Sequence, residues 1–263
     1  MGSPLSSDWL TTCRAARDDV ARVLAELPTR AEREPVVGDG EGGDETTAVD
    51  AAAERAILPH FDGNRIVSEE VGIHGDGPFT IVVDPIDGSL NAKRGIPFFS
   101  ISIAVAEGET MDDVVFGYVF DFGTREEWTA TRGGGAFLNG EPLLEKPKDR
   151  IEILSFEATT LEYVTENAQR FAGTAHRLRI MGSLAITLCH LAAGRLDGVV
   201  SLKAARSVDI AAAQLLVREQ GLSIDLPDDP PFGRAPLDLE GRSRVAAAGN
   251  AELCRNLAEA LGR

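Results

Sequence analysis

The sequence predicts an α/β protein of the α+β kind, and three observations carry that prediction. Short runs rich in β-branched residues follow one another with turn-length links between residues 64 and 140; from about Lys148 strand-like and helix-like segments alternate; and a helix with one apolar face opens the chain. At 263 residues and 43% hydrophobic content there is material for one large core or two modest ones. The change of rhythm divides the chain into an N-terminal half, residues 1–147, with an antiparallel sheet, and a C-terminal α/β half, residues 148–263.

Each element has its own signal. Leu10, Cys13, Ala16, Val20, Val23, Leu24 and Leu27 fall at helical spacing, with Ser7 or Asp8 as cap. "EREPVVGDGEGGDETT" is dense in glycine and acid and reads as a mobile loop, followed by a helix through "AVDAAAERAILPHF". The β-like runs are "NRIVSEE", "FTIVVD", "FFSISIAVA", "DVVFGYVFD" and "EEWTATRGGGAFLNG", the last holding Asn139-Gly140, a hairpin-turn dipeptide. In the second half, strands at "IEILSFE", "HRLRI", "DGVVSL" and "SRVAAAG" alternate with helices over residues 160–171, 183–193, 208–219 and 251–261.

Composition excludes several classes of partner. A net charge of −16 argues against a nucleic-acid or anionic-membrane surface, since phosphate neutralisation needs lysine and arginine in excess. No run approaches the roughly 18 apolar residues of a membrane helix, and "MGSPLSSDWL" lacks the basic and apolar regions of a signal peptide. Cys13, Cys189 and Cys254 are isolated and odd in number, which fits reduced thiols and a cytoplasmic protein. Only four of the 26 basic residues are lysine. Two readings of the acidity stand: adaptation to a salt-rich cytoplasm, or a base composition that writes arginine for lysine.

The chemistry centres on "TIVVDPIDGSLN". An apolar strand ends in Asp84 and Asp87, where open sheets tend to place ligands. Pro85 removes an amide donor and Gly88 admits conformations closed to other residues, so the turn fixes both carboxylates. Paired hard oxygens suit Mg²⁺ or Mn²⁺, with the Ile86 carbonyl as a further ligand. Ser89 opens a short helix through Leu90 to Arg94, whose exposed amides offer a phosphate site. An Asx turn with a capping serine would also explain these residues. Further acids sit at other element ends: Glu69 and Glu70 after "RIV", Asp50 one turn beyond Thr46 and Thr47, Asp44 in the acidic loop, and Asp209 at the start of an apolar helix. Singly, each is an ordinary cap.

"SEEVG" (68–72), "DPIDGSLN" (84–91), "GIPFFSISIAVA" (95–106), "RGGGAFLNG" (132–140), "MGSLAITLCHLAAGRLDG" (181–198) and "VDIAAAQLLVREQG" (208–221) together cover nearly the whole chain. In these segments it resembles the lithium-sensitive, magnesium-dependent inositol monophosphatase and fructose-1,6-bisphosphatase superfamily, and in "GDGEGGDETTAVD" the archaeal-type, dual-activity branch. The resemblance implies a five-layer αβαβα sandwich, a homodimer, two or three Mg²⁺ ions (or Mn²⁺) and inhibition by Li⁺. It assigns metal binding to Glu69, Asp84, the Ile86 carbonyl, Asp87 and Asp209, with Asp44 a looser match. Asp50, Thr47 and Ser89 would orient the attacking water. Gly88, Ser89, Arg179, Gly182 and Ser183 would hold the substrate, and Lys203 and Arg206 would meet a second phosphate. A loop lysine common in inositol phosphatases is replaced here by acid and glycine. Val208 and Leu202 stand where a tryptophan and a substrate-binding glutamate are usual.

The implied reaction is in-line hydrolysis of a phosphomonoester, fructose 1,6-bisphosphate or inositol 1-phosphate, by metal-activated water without a phospho-enzyme. The acidic loop would close over the substrate. Hydrolysis of 3'-phosphoadenosine 5'-phosphate is the nearest alternative, and a regulatory binding protein on the same fold is another. Other signals fail on context. "GDGEGG" matches GxGxxG literally, but its acids would repel pyrophosphate and no sound strand feeds it. Neither this loop nor DPIDGSLN has EF-hand spacing. His60, His74, His176 and His190 show no paired spacing, and Ser183 lacks a nucleophile elbow.

Overall fold

The structure, a computed structural model, describes residues 4–41, 45–144, 149–157, 160–228 and 231–262. The first half supplies helices α1 (Pro4–Glu26), α2 (Arg30–Arg33), α3 (Ala48–Ile57) and α4 (Ser89–Arg94). Its strands are β1 (Val36–Asp39), β2 (Glu45–Thr47), β3 (Arg65–Ser68), β4 (Gly72–His74), β5 (Thr80–Asp87), β6 (Ser100–Ala106), β7 (Val114–Asp121), β8 (Glu127–Thr131), β9 (Gly135–Leu138) and β10 (Glu141–Pro142). The second half supplies β11 (Ile153–Glu157), α5 (Leu161–Asn167), β12 (Arg177–Arg179), α6 (Leu184–Ala192), β13 (Gly198–Ser201), α7 (Ser207–Glu219), β14 (Ser223–Asp225), β15 (Ala246–Ala248) and α8 (Ala251–Ala260). The predicted division near residue 147 falls at 145–148, outside the described residues.

Strand alternation decides how these elements stack. Along β5, Ile81 and Val83 enter one apolar cluster with α1 and α3, while Val82 enters another with α6 and α7. Along β6, Ile101, Ile103 and Val105 divide from Ala104 and Ala106 in the same way. In the second sheet Val199 and Ala247 face α6 and α7, whereas Val200, Ala246 and Ala248 face α8. Five layers result: α1 and α3, an eight-stranded sheet, α6 and α7, a five-stranded sheet, and an outer layer with α8. Helices α6 and α7 are buried nearly all round, as the inner layer of such a stack must be. Each Leu or Ile so enclosed contributes about 1.5–3 kcal/mol.

The larger sheet runs β10-β9-β8-β7-β6-β5-β3-β4, the smaller β12-β11-β13-β15-β14. The first is not wholly antiparallel as expected. β3 and β5 are parallel, because the chain turns through the edge strand β4 before entering β5. The expected mobile loop is also corrected among its described residues: they form α2 and a hairpin of β1 on β2, with Gly38 opposite Thr46. All four β1 residues are exposed, so backbone pairing rather than packing carries that strand. Gly42, Gly43 and the candidate ligand Asp44 lie outside the described residues. Asn139 and Gly140 form the two-residue turn between β9 and β10, both with positive φ, as the dipeptide predicts.

One contact fixes the height of α7. A Cβ on Gly117 of β7 would stand 2.5 Å from the Ala212 carbonyl oxygen, so glycine lets the helix backbone lie directly on the sheet. Ala211 and Ala213, on either side of Ala212, are buried with it in the same apolar cluster. The helix start, with Asp209, is thereby set beside the end of β5.

Candidate active site

A bulge aims the opening pair of acids. Asp84 pairs with Ser102 and Asp87 with Ser100, so three steps along β5 match two along β6. Residues three apart on a regular strand point to opposite faces; the extra residue restores the phase and sends both carboxylates one way. Pro85, which has no amide to donate, sits within the irregularity. The Ile86 amide donates to Asp84 Oδ1 at 2.9 Å, so the segment is an Asx turn as well as an acid pair. Parallel pairing of Ser68 with Val83 then sets Glu69 beside Asp84 at the neighbouring strand end.

Two helix starts bring the remaining acids. Asp209 is the third residue of α7 and accepts from the Arg206 amide at 2.8 Å. Asp50 holds the same position in α3, where the Thr47 hydroxyl and amide both donate to its Oδ2. Both aspartates are therefore caps, the ordinary reading, and both line one cavity of about 180 Å³ together with Glu45, Glu69, Glu70, Asp84, the Pro85–Ser89 turn, Lys93 and Arg206. Carboxylate oxygens of Asp84, Asp87 and Asp209 lie within 4.8 Å of one another.

Crowding of like charge is visible in the acidities. Burial first, then the charges of Glu69, Asp87 and Asp209, hold Asp84 well above the usual carboxylate range. Burial and Asp209 push Asp87 up to about 7, against the bonds it accepts from Ser183 and the Ala185 amide. Burial pushes Glu69 up to about 8, against Arg206 and with the charges of Asp209 and Glu70. Three carboxylates confined this closely stay ionised together when a multivalent cation sits among them, and hard oxygen donors of this kind fit Mg²⁺ or Mn²⁺.

A second cavity of about 540 Å³ adjoins the first, sharing Asp87, Gly88, Ser89, Arg206 and Asp209, and extends along Asn91, Thr160, Gly182, Lys203 and Arg242. Gly88 and Gly182 both have positive φ, and a Cβ on Gly88 would lie 2.9 Å from the Gly182 carbonyl oxygen. The two turns touch there. Asn91 ties them by donating to the Phe98 and Met181 carbonyls at 2.8 and 2.9 Å.

Not every candidate lines the cavities. Ser183 is buried beneath, donating to Asp87 and capping α6. Arg179, on the exposed edge strand β12, donates to the Leu178 carbonyl and reaches neither cavity wall. Of the groups not singled out by the sequence that join the site, four matter most to its geometry. Lys93 Nζ lies 3.4 Å from Asp50 Oδ2. Glu157 accepts from the Gly182 and Met181 amides and from the Ser155 and Thr187 hydroxyls. Asn91 and Arg242 complete the set. Glu157 ends an apolar strand, the signal that marks Asp84; Arg242 carries no sequence signal.

The inositol monophosphatase family model matches residues 9–262. The chain belongs to that family. Its members are metal-dependent phosphoric monoester hydrolases, and this chain is one of them. It is 32% identical over 249 residues to the fructose-1,6-bisphosphatase/inositol-1-monophosphatase of Archaeoglobus fulgidus, covering 92% of this chain and 93% of the relative. The protein of the same name from Thermococcus kodakarensis is 34% identical over 230 residues, 86% of each. A solved inositol monophosphatase-fructose 1,6 bisphosphatase superposes with a TM-score of 0.84 at 26% identity, covering 96% of this chain and 99% of the other. Among the described residues no helix is long and apolar enough to cross a membrane.

Proposed function

We propose that this family member hydrolyses fructose 1,6-bisphosphate and inositol 1-phosphate with Mg²⁺ as its metal, two or three ions being held by Glu69, Asp84, the Ile86 carbonyl, Asp87 and Asp209. The observation that carries the reading is the convergence of Asp84, Asp87 and Asp209 oxygens within 4.8 Å, on a cavity continuous with a wider one rimmed by cations. Ions bound there supply an acidified water and neutralise charge on the phosphoryl group.

This chain's residues do the rest. The Gly88 and Ser89 amides would hold the phosphate over the acid cluster. Asp50, oriented by Thr47 and Lys93, would direct the attacking water and accept its proton, with the Ser89 hydroxyl assisting. Ser183 and the Ala185 amide would keep Asp87 in its ligating rotamer. Lys203 and Arg242, on the wall of the wider cavity, would meet the second phosphate of a bisphosphate. The reading includes a cytoplasmic homodimer, which sedimentation tests.

The deciding assay is phosphate release from fructose 1,6-bisphosphate, inositol 1-phosphate and 3'-phosphoadenosine 5'-phosphate in parallel, with Mg²⁺ and with chelator. Release from the first two is expected, lost with chelator. Asp87→Asn removes charge stabilisation of several kcal/mol and lowers turnover on the order of 10³-fold or more. Wild-type turnover in that variant would sink the metal assignment.

A further inference from the structure

Arg206 is a cation inside the acid cluster. Its Nη1 lies 2.7 Å from Glu69 Oε1 and its Nη2 3.6 Å from Asp209 Oδ1, with the residue 9% exposed. Its own amide donates to Asp209 Oδ2, so the backbone at this point cannot retreat without uncapping α7. It is also one of the residues lining both cavities, the acidic one and the wider one with Lys203 and Arg242. A guanidinium suits both settings, since its planar fork matches carboxylate and phosphate alike and its weak hydration makes transfer between them inexpensive.

Resting on the reading of Glu69 and Asp209 as ligands of divalent ions, we propose that Arg206 is a resident competitor for one of those ions. It holds the two carboxylates together without metal; as an ion enters, the guanidinium turns from Glu69 into the adjoining cavity, where the substrate's phosphate receives it. Metal and phosphate binding then reinforce each other through one side chain. The physical basis is simple: a unit positive charge a few ångströms from the ion opposes it, and the same charge moved onto a phosphate assists binding. Reciprocity follows, since whatever phosphate does to metal affinity, metal does to phosphate affinity. Arg206 is a positioning residue in this account.

The test uses Mn²⁺ as the probe, titrated against the full chain and followed by the signal of free Mn²⁺ in electron paramagnetic resonance, with and without inorganic phosphate. Arg206→Met is expected to bind Mn²⁺ about tenfold more tightly than wild type without phosphate, and its enhancement by phosphate to shrink by a similar factor. Arg206→Gln, polar and neutral, provides a second variant, and circular dichroism verifies folding of both. If the folded neutral variants bind Mn²⁺ no more tightly than wild type, or keep the full enhancement by phosphate, the competitor role is wrong while the metal site stands. If an Asp84→Asn, Asp87→Asn double variant binds Mn²⁺ as well as wild type, the metal reading itself fails and this proposal with it.

Discussion

Ser183 and Asp87, 96 residues apart in the chain, are joined by a hydrogen bond from the hydroxyl to Oδ2, the same oxygen that accepts from the Ala185 amide at 2.8 Å. The start of α6 therefore holds a carboxylate delivered by the other half of the protein. Ser183→Ala removes a bond that holds the Asp87 pKa down to about 7, so burial and Asp209 push it higher in the variant. The expected result is metal affinity weaker by about 10-fold at neutral pH, a typical cost of losing an outer partner of a ligand. The deficit should narrow toward pH 8 as Asp87 ionises. Metal titrations at several pH values check this, and an unchanged affinity at pH 7 would remove Ser183 from the site.

Asp84 is buried among like charges, so the chain without metal carries their repulsion. Asp84→Asn is expected to raise the melting temperature in chelator while abolishing turnover, the trade familiar from strained active sites. For a chain of this size, 1 kcal/mol corresponds to about 2–4 °C. Added Mg²⁺ should stabilise wild type and leave the variant unmoved. Differential scanning calorimetry with and without metal decides it.

Glu54 offers a pH test at a residue outside the proposed ligand set. It is buried on α3, with Oε1 accepting from the Val71 amide and Oε2 lacking a partner among the described residues. Burial pushes its carboxyl up to about 7 from an ordinary 4.5. The folded chain thus binds an extra proton between those values, and stability present below about pH 4.5 is lost as pH rises through 7. Glu54→Gln removes this dependence. Its stability relative to wild type should increase from pH 5 to pH 8, by up to about 3 kcal/mol. Denaturant midpoints across that range measure the difference, and a constant offset would refute it.

Arg242 tests discrimination between substrates. An antiparallel bridge joins Ala205 to Ser243, and the Ser207 hydroxyl donates to the Asp238 carbonyl at 2.6 Å, fastening the 238–243 loop to the approach of α7. Arg242→Ala should raise KM for fructose 1,6-bisphosphate about tenfold, the worth of one charge-assisted contact of about 1.4 kcal/mol, and spare inositol 1-phosphate. Equal losses on both substrates would assign Arg242 to general electrostatics.

Legible in the sequence are features governed by neighbours along the chain. The strand-end acids Asp84 and Asp87, the cap acids Asp50 and Asp209, and the Asn139-Gly140 turn all follow from local rules of strand, cap and turn. The order and type of the second-half elements follow from periodicity, except the edge strand β14 at Ser223–Asp225, which it does not predict, and with ends shifted by a residue or two or shortened, as at β12. What stayed hidden depends on partners far away. Parallel pairing of β3 with β5 hinges on a three-residue edge strand whose Ile73 is exposed and gives no apolar alternation. The β1–β2 hairpin is masked by glycine and acid. Lys93 reaches Asp50 only because α4 turns it there, and Arg242 reaches the wider cavity only through a bridge to Ala205.

The inner helical layer has a consequence for how the chain is made. The larger sheet is complete at Pro142, yet the face that holds Val82, Ala104 and Val119 is covered by α6 and α7, and α7 ends at Glu219. At a translation rate of about 5–20 residues per second, that apolar face stays bare on the ribosome for roughly 4–15 s. A nascent chain halted after Pro142 has cleared the exit tunnel but before α7 has emerged should therefore recruit holding chaperones and yield to protease. One halted late enough for residue 219 to clear the exit tunnel should do neither.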